Sequence, residues 1–515
     1  MENMIKKRKI INELFFILLL SLMFSANIYA QNAAVIDLDS THQVIRGFGA
    51  ANILQWRDTM TTEEINTAFG TGNGQLGFTI LRLRIQPQKY LWNTNVNAAK
   101  KAYDMGVTII ASPWNAPDEM LETVGEIERV RYDMYDEYTA HLDSFNTYMT
   151  NNDVPIYAIS VQNEPDYGNW TRWTSDEMLT FMQENAHAIG TRVMVPESFQ
   201  FRRSMSDPIL NDAEACANLD ILAGHIYGGG IAPYPLAEEK GKEVWMTEYL
   251  INSGSPPANL DIDIGWFGAM LTAQSIHDCM IANMSTYVWW YIVRYYGPIA
   301  DGTYADKGEV TKKGYVMSQF ARFIRPGYLR VECDDKPQTD VYASAYKDTT
   351  SSRVVIVAIN TASFDKNQTF VFQDGLVEIV RPYVTSETKN CSRESWILVT
   401  NDSLNVTLDA ESITTFVSYD LDIVEARDPE SFKLYQNYPN PFNRSTRIDF
   451  EIPEESFVSL VVHNLLGQEV TVIEEEYSSG AHSVALDLSY LANGIYFYTL
   501  RTEGFIDTKK MYIIK

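Results

Sequence analysis

From about residue 47 to residue 325 the chain alternates short runs that are apolar at nearly every position with longer segments of mixed character. The runs at 47–53, 78–85, 108–112, 157–161, 192–196, 219–227, 244–249 and 285–292 carry little polar alternation. Strands buried on both faces, as in a parallel sheet covered by helices, read this way. One intervening helix is announced by Thr174 and Glu177, which have the spacing of a capping box. Met178, Met182, Ala186 and Ile189 follow at helical intervals and predict a single helix carrying all four. Eight strand–helix alternations over roughly 280 residues match the size and rhythm of a (β/α)8 barrel. An open doubly wound sheet is the competitor, but no glycine-rich nucleotide loop follows the first run.

Past residue 327 the texture changes. Runs at 341–345, 353–360, 368–372, 396–399 and 413–419 are short and separated by Asp, Ser, Thr and Asn turns. They predict a side β-sandwich over 327–419, joined by a strand at 33–38 from the segment 31–46 that precedes the barrel at 47–326. An acidic stretch at 420–430 marks a linker spanning 420–433. A third unit, 434–515, has turn signals at 439–441, 466–467 and 493–494 and alternating runs at 459–463 and 495–500. It reads as a further small β-sandwich. The expected fold class is therefore α/β, a TIM barrel with two β appendages.

Residues 1–30 belong to none of these units. Lys6, Lys7, Arg8 and Lys9 precede a short apolar stretch at 14–24 and a small-residue exit ending at Ala30. This is the layout of a secretory signal cleaved after Ala30. The apolar stretch falls short of the ~20 residues a spanning helix needs. No later stretch reads as a membrane span, and a mature protein outside the cytoplasm is expected. Cys216, Cys279, Cys333 and Cys391 are widely spaced with no zinc pattern, so incidental buried thiols are expected rather than a metal site.

Composition narrows the partners. The 515 residues include 67 Asp and Glu against 41 Lys and Arg, a formal net charge of -26. Such a chain repels nucleic-acid phosphates and anionic membrane surfaces. The 10 Trp, 30 Tyr and 23 Phe point elsewhere, since flat aromatic faces stack on sugar rings.

Barrel enzymes carry their chemistry at the C-terminal ends of the strands. The fourth run leads into Gln162-Asn163-Glu164-Pro165, and the seventh ends in Thr247-Glu248-Tyr249. A single strand-end Glu reads as an ordinary loop residue. Two of them, on strands four and seven, read as a catalytic pair, because a buried carboxylate needs a partner or a function to offset its desolvation. Retaining glycosidases use two carboxyl groups ~5–5.5 Å apart, one as acid/base and one as nucleophile. Asn163, beside Glu164, suits a hydrogen bond to the sugar 2-OH. Tyr227 and Arg82 suit holding Glu248 ionised. Two carboxylates suffice for this chemistry, so no cofactor and no metal are expected.

The ordered segments VIRGFGAANILQW (44–56), ILRLRI, ASPWN, YAISVQNEPDYG, PESFQ, DPILND, VWMTEY, YVWWYIVRYYGP and FIRPGY resemble glycoside hydrolase family 30, and most closely its bacterial glucuronoxylanase subfamily. The resemblance runs from about 36 to 418. It implies a secreted retaining endo-β-1,4-xylanase with Glu164 as acid/base and Glu248 as nucleophile, directed by 4-O-methylglucuronic acid branches on xylan. A branch-independent or xylobiose-releasing xylanase is the alternative, and a silent carbohydrate-binding protein the distant one. Within the loop after strand eight the resemblance assigns Arg294 to the uronate carboxylate, with Tyr296 and Trp290 beside it. Bidentate guanidinium–carboxylate pairing suits that role. Trp56 and Trp114 match positions lining the sugar cleft, and Ser253 or Ser255 a serine contact to the branch. Two positions depart from the pattern: Val293 replaces the first of a common Arg-Arg pair, and Leu250 a tyrosine that normally touches the uronate. The third unit, with Asn440-Pro441-Phe442, Asn464-Leu-Leu-Gly467, Gly494-Ile-Tyr496 and the final 509–515, resembles the C-terminal sorting domain of type IX secretion substrates. The expected partners are thus xylan and that secretion machinery, with the protein otherwise a monomer.

Overall fold

The structure, a computed structural model, describes residues 32–54, 56–254, 259–419, 432–453, 456–477, 479–502 and 504–515. The expected export signal and the acidic stretch at 420–430 lie outside the described residues. The chain divides into two compact units between Ser418 and Tyr419.

Eight parallel strands close into a barrel in the first unit: Gly47–Ala51, Ile80–Ile85, Thr108–Pro113, Ala158–Ser160, Arg192–Ser198, Ile221–His225, Glu243–Tyr249 and Met284–Tyr291. Sequence neighbours pair all the way round, and the eighth strand returns to the first. Closure excludes the open doubly wound sheet. Ile80, Ile110, Ala158, Met194, Ile221, Ala223, Trp245 and Val288 fill the interior. Because side chains alternate along a strand, the residue two places beyond each such plug faces inward at the mouth. Arg82 follows Ile80, Ser112 follows Ile110 and His225 follows Ala223 in this way.

Two mouth residues reach the interior by breaking that alternation. The pairing of strands six and seven shifts register between Met246 and Glu248. That bulge re-aims Glu248, three residues past Trp245, toward the inside. A matching shift in strand five falls between Pro196 and Ser198, where Glu197 takes a φ of 51°.

Strand four is shorter than expected, only Ala158–Ser160, so Glu164 sits in the following segment rather than on the strand. The helix after it also differs. Thr174 and Glu177 form the capping box, but the helix is Ser175–Glu184 and stops at Asn185. The Asn185 side chain donates to Asp136 Oδ1 at 2.7 Å, and the chain continues as a single 3₁₀ turn, Ala186–Ala188. Met178, Met182, Ala186 and Ile189 are all buried, so the apolar spacing held while the backbone changed.

The side domain is a continuous ten-stranded sheet folded over one core that joins Ile36, Ile356, Phe370, Leu404 and Phe416. Strand Ala33–Val44 pairs antiparallel with Leu329–Cys333 and parallel with Lys366–Gln373, which ties the segment before the barrel to the segment after it. Four of its strands, Leu329–Cys333, Ile379–Thr385, Ser392–Arg393 and Ser403–Leu408, escape a sequence reading. Ile379–Thr385 is masked by Arg381 and Pro382; the Arg381 guanidinium stacks over the Trp396 ring at 3.7 Å. Where a strand at 396–399 was expected, only Ile397–Leu398 pairs. All four cysteines are free thiols, with Cys216 half-buried rather than buried.

The second unit holds a three-stranded sheet (Lys433–Leu434, Ser445–Ile452, Gly480–Asp487) and a four-stranded one (Glu469–Tyr477, Ser456–His463, Gly494–Arg501, Ile506–Ile513). Ile448, Phe450, Leu460, Tyr498 and Met511 pack between them. Among the described residues no helix is long and apolar enough to cross a membrane.

Candidate active site

Arg82 organises the barrel mouth. Its Nη1 donates to Glu248 Oε2 at 2.6 Å, and its Nη2 to Asn163 Oδ1 at 2.6 Å and to Glu197 Oε1 at 3.1 Å. Nε donates to Ser112 Oγ at 3.2 Å, and the guanidinium lies 4.7 Å from the Trp114 ring centre. A fork of five N–H groups fits this fan of acceptors; an ammonium does not. Glu248 receives a second bond on its other oxygen, from Tyr227 OH at 2.9 Å. Tyr227 is itself clamped between Phe199 and Tyr249.

Glu164 faces Glu248 from the segment after strand four, with φ at 46°. Left-handed backbone at a glutamate costs of order 1–3 kcal/mol and marks a position held by its surroundings. The holding contacts are its own N–H to Glu197 O at 3.1 Å and two side-chain bonds. Trp170 Nε1 donates to Glu164 Oε2 at 3.0 Å, and His225 Nδ1 meets Oε1 at 3.0 Å. One carboxylate oxygen of Glu164, one of Glu248 and a ring nitrogen of His225 all lie within 4.8 Å of one another. Three such ligands can in principle hold a metal ion. The positive charge they need is already supplied, because Arg82 grips Glu248 and His225 sits against Glu164.

The electrostatics follow from burial and this pairing. Burial pulls the His225 imidazole down, but Glu248, Glu164 and Glu197 together outweigh it and lift the pKa to about 9. Burial pushes Glu197 up, yet Arg82, His225 and Thr247 hold its carboxyl well below the usual range. For Glu248 burial pushes up, His225 and Arg82 pull down, and the nearby Glu164 pushes up again; the net direction is upward.

Asn163 is fully buried, and its Nδ2 has no hydrogen-bond partner among the described residues. With Oδ1 committed to Arg82, the remaining capacity of the amide is donation. Four tryptophans form a cradle: Trp114 has ring centres 5.8 Å from Trp56 and 5.6 Å from Trp290, and Trp56 is 5.7 Å from Trp170. Trp114 is only 1% exposed and serves as wall, whereas Trp56 at 37% presents a face.

In the loop after strand eight, the Arg294 guanidinium lies 4.9 Å from the Tyr295 ring and 5.8 Å from Tyr296. Its Nη1 pairs with Asp301 Oδ2 at 3.3 Å. Ser253 stands apart from this group. Its Oγ donates to Asp263 Oδ2 at 2.8 Å and accepts from Asn259 N at 2.9 Å, so its hydroxyl braces its own loop. Ser255 lies outside the described residues.

The structure thus brings together Arg82, Asn163, Glu164, Tyr227 and Glu248, with Trp56, Trp114 and Trp290 joined as one cradle, and leaves Ser253 tied up elsewhere. Three groups were missed. Glu197 ends strand five as Glu248 ends strand seven, so the same strand-end reasoning finds it. His225 shares a face with Tyr227 by the two-residue period. Trp170 returns to Glu164 through a loop and leaves no local signal.

Residues 436–515 match the model for the secretion system C-terminal sorting domain. Glucuronoxylanase XynC of Bacillus subtilis strain 168 is 42% identical over 405 residues, covering 76% of this chain and 93% of the relative. The solved GH30 endoxylanase from Clostridium papyrosolvens C71 is 42% identical, covering 75% of this chain and all of that one, with a TM-score of 0.68. The glycoside hydrolase family 30 subfamily 8 xylanase from Clostridium acetobutylicum is 35% identical, covering 76% of this chain and all of that one, also at 0.68.

Proposed function

The chain belongs to glycoside hydrolase family 30, as an extracellular or cell-surface xylanase of subfamily 8 type, and on that premise we propose that it is a retaining endo-β-1,4-xylanase directed by 4-O-methylglucuronic acid branches. The observation that carries the mechanism is the pair Glu164 and Glu248, with oxygens within 4.8 Å and each bonded to different donors. That spacing leaves no room for a water between carboxylate and sugar, as inversion requires, and suits direct attack.

In the first step Glu164, carrying the proton, delivers it to the glycosidic oxygen while Glu248 attacks the anomeric carbon. The C–O bond to the leaving chain breaks and a glycosyl–Glu248 ester forms. Glu164 becomes anionic, and the Trp170 and His225 N–H groups stabilise it. Glu164 then takes a proton from water, whose oxygen attacks the same carbon and releases Glu248. The upward push on Glu248 makes its carboxylate more basic and so a stronger nucleophile once ionised. Asn163 Nδ2 is the donor for the sugar 2-OH, aimed by the Arg82 bond to its other terminus.

Proton NMR of the first products tests this: β-anomeric reducing ends appearing before mutarotation are expected, and initial α-anomers would rule out retention. For branch recognition, Arg294 supplies the guanidinium, with Tyr296 and Trp290 forming the walls. A branch-independent xylanase is the second reading. It is favoured by Leu250 in place of a tyrosine and by Ser253, whose hydroxyl is committed to Asp263.

A further inference from the structure

Arg84 is a buried charge that the chemistry above does not use. It stands two places beyond Arg82 on the second barrel strand, and so faces the mouth one layer further out. It is 7% exposed, and burial lowers its pKa to about 10. Arg82 meets two carboxylates, Glu197 and Glu248. Arg84 meets none among the described residues: Nη2 donates to Asn115 Oδ1 at 3.3 Å, and Nε is buried with no partner. A buried cation without a counter-ion carries a desolvation cost that an apolar side chain at the same place avoids. A cleft position that bears such a cost is a candidate for function.

What Arg84 does meet is aromatic. Its guanidinium carbon lies 4.2 Å from the centre of the Trp56 ring and 5.9 Å from that of Trp114. Guanidinium is planar, more weakly hydrated than an ammonium, and stacks on aromatic faces. Trp56 is otherwise loosely held. It sits on the loop after strand one, and its indole N–H makes no hydrogen bond among the described residues. Its ring contacts with Trp114, Trp170 and Trp290 are edge-on or tilted, at 88°, 38° and 56°. None of these is a parallel stack that would fix the ring plane. The backbone of Arg84 is fixed, by a strand paired on both sides and by Asn95 Nδ2, which donates to its carbonyl at 3.2 Å. Arg84 thus carries the rigidity of the barrel wall to a tryptophan on a loop.

We infer that Arg84 is a positioning residue for substrate binding: through its stack on Trp56 it holds that ring in the plane that receives a sugar unit. The inference rests on the xylanase reading and on Trp56 as a sugar contact. Arg84 acts through the ring and touches neither the sugar nor the reacting atoms. Its loss weakens substrate and transition state alike, which raises KM and leaves kcat in place.

The test is a double-mutant cycle between Arg84 and Trp56, read as KM and kcat on a uronate-branched xylo-oligosaccharide. Trp56→Ala raises KM. Arg84→Met, which keeps an unbranched stem and removes the charge, raises KM by about fivefold to tenfold, the worth of a desolvated cation on an indole. Its kcat stays within about twofold of wild type. In the Trp56→Ala background the same change adds less than about twofold, because the ring it supports is gone. Arg84→Gln also removes the charge and takes the place of the methionine variant should that one not fold. An unmoved KM in both neutral variants would overturn the inference. So would an undiminished effect in the Trp56→Ala background, or a fall in kcat with KM unchanged. Failure of Trp56→Ala to raise KM would remove Trp56 as a sugar contact, and failure of wild type to cut the oligosaccharide would remove the xylanase reading. Either result would take the inference with it.

Discussion

Arg82 donates through Nη1 to Glu248 Oε2 at 2.6 Å, a bond thrown across the barrel mouth from the second strand to the seventh. The same guanidinium reaches Asn163 and Glu197, so one side chain orders the proposed nucleophile, the proposed 2-OH donor and a third carboxylate. Lysine offers one point charge for this fan. Arg82→Lys should lower kcat on xylan by about a hundredfold or more, as loss of a preorganised charge does at other sites. Arg82→Ala leaves Glu197 and Glu248 buried with only His225 to oppose their charge and should cost about 3–5 kcal/mol in urea unfolding. A lysine variant with near-normal kcat would show that Glu248 is ordered by other groups.

His225 gives the protein a pH-dependent stability. Its folded pKa, about 9, stands above the unfolded value of ~6.5 because the surrounding carboxylates outweigh burial. The stabilisation is fully present below ~6.5 and is lost as pH rises through about 9. The melting temperature of wild type should therefore fall more steeply between pH 7 and pH 10 than that of His225→Gln. Parallel melting curves across that range would mean that the imidazole is not charged in the folded state.

Glu164 and Glu248 should respond differently to an activated leaving group. In Glu164→Ala, a branched xylo-oligosaccharide carrying a dinitrophenyl leaving group needs no proton to depart, so the first step survives while hydrolysis of the ester stalls. Added azide should restore turnover and yield a β-glycosyl azide, whereas xylan cleavage stays down by about 10²–10⁴-fold. An azide-insensitive variant would remove Glu164 from the acid/base role.

Much of this was legible in the chain because the barrel enforces a simple rule. Unbroken apolar runs announce strands buried on both faces, and Glu164 and Glu248 stand out as charges next to such runs. Legibility fails where the rule is broken. The register shift at Met246/Glu248 and the positive φ of Glu164 and Glu197 are backbone features that no periodicity reveals. Asn185 ends its helix by bonding Asp136, a partner 49 residues away, which overrides four well-spaced apolar residues. Trp170 and Ser253 show both sides of the difficulty. One meets Glu164 through a loop return, and the other donates its hydroxyl to Asp263 in its own loop, contacts between residues whose pairing no local pattern announces.

The proposed branch direction rests on Arg294, and the most direct measurement is parallel digestion of 4-O-methylglucuronoxylan and unbranched xylo-oligosaccharides, with products identified by mass. Wild type should release acidic oligosaccharides bearing one uronic acid each and barely cut the linear substrate. Arg294→Ala should lose that preference by about 1.5–3 kcal/mol, the worth of a charged hydrogen bond. Equal cutting of both substrates by wild type would contradict branch direction and leave a general xylanase working with the same two glutamates.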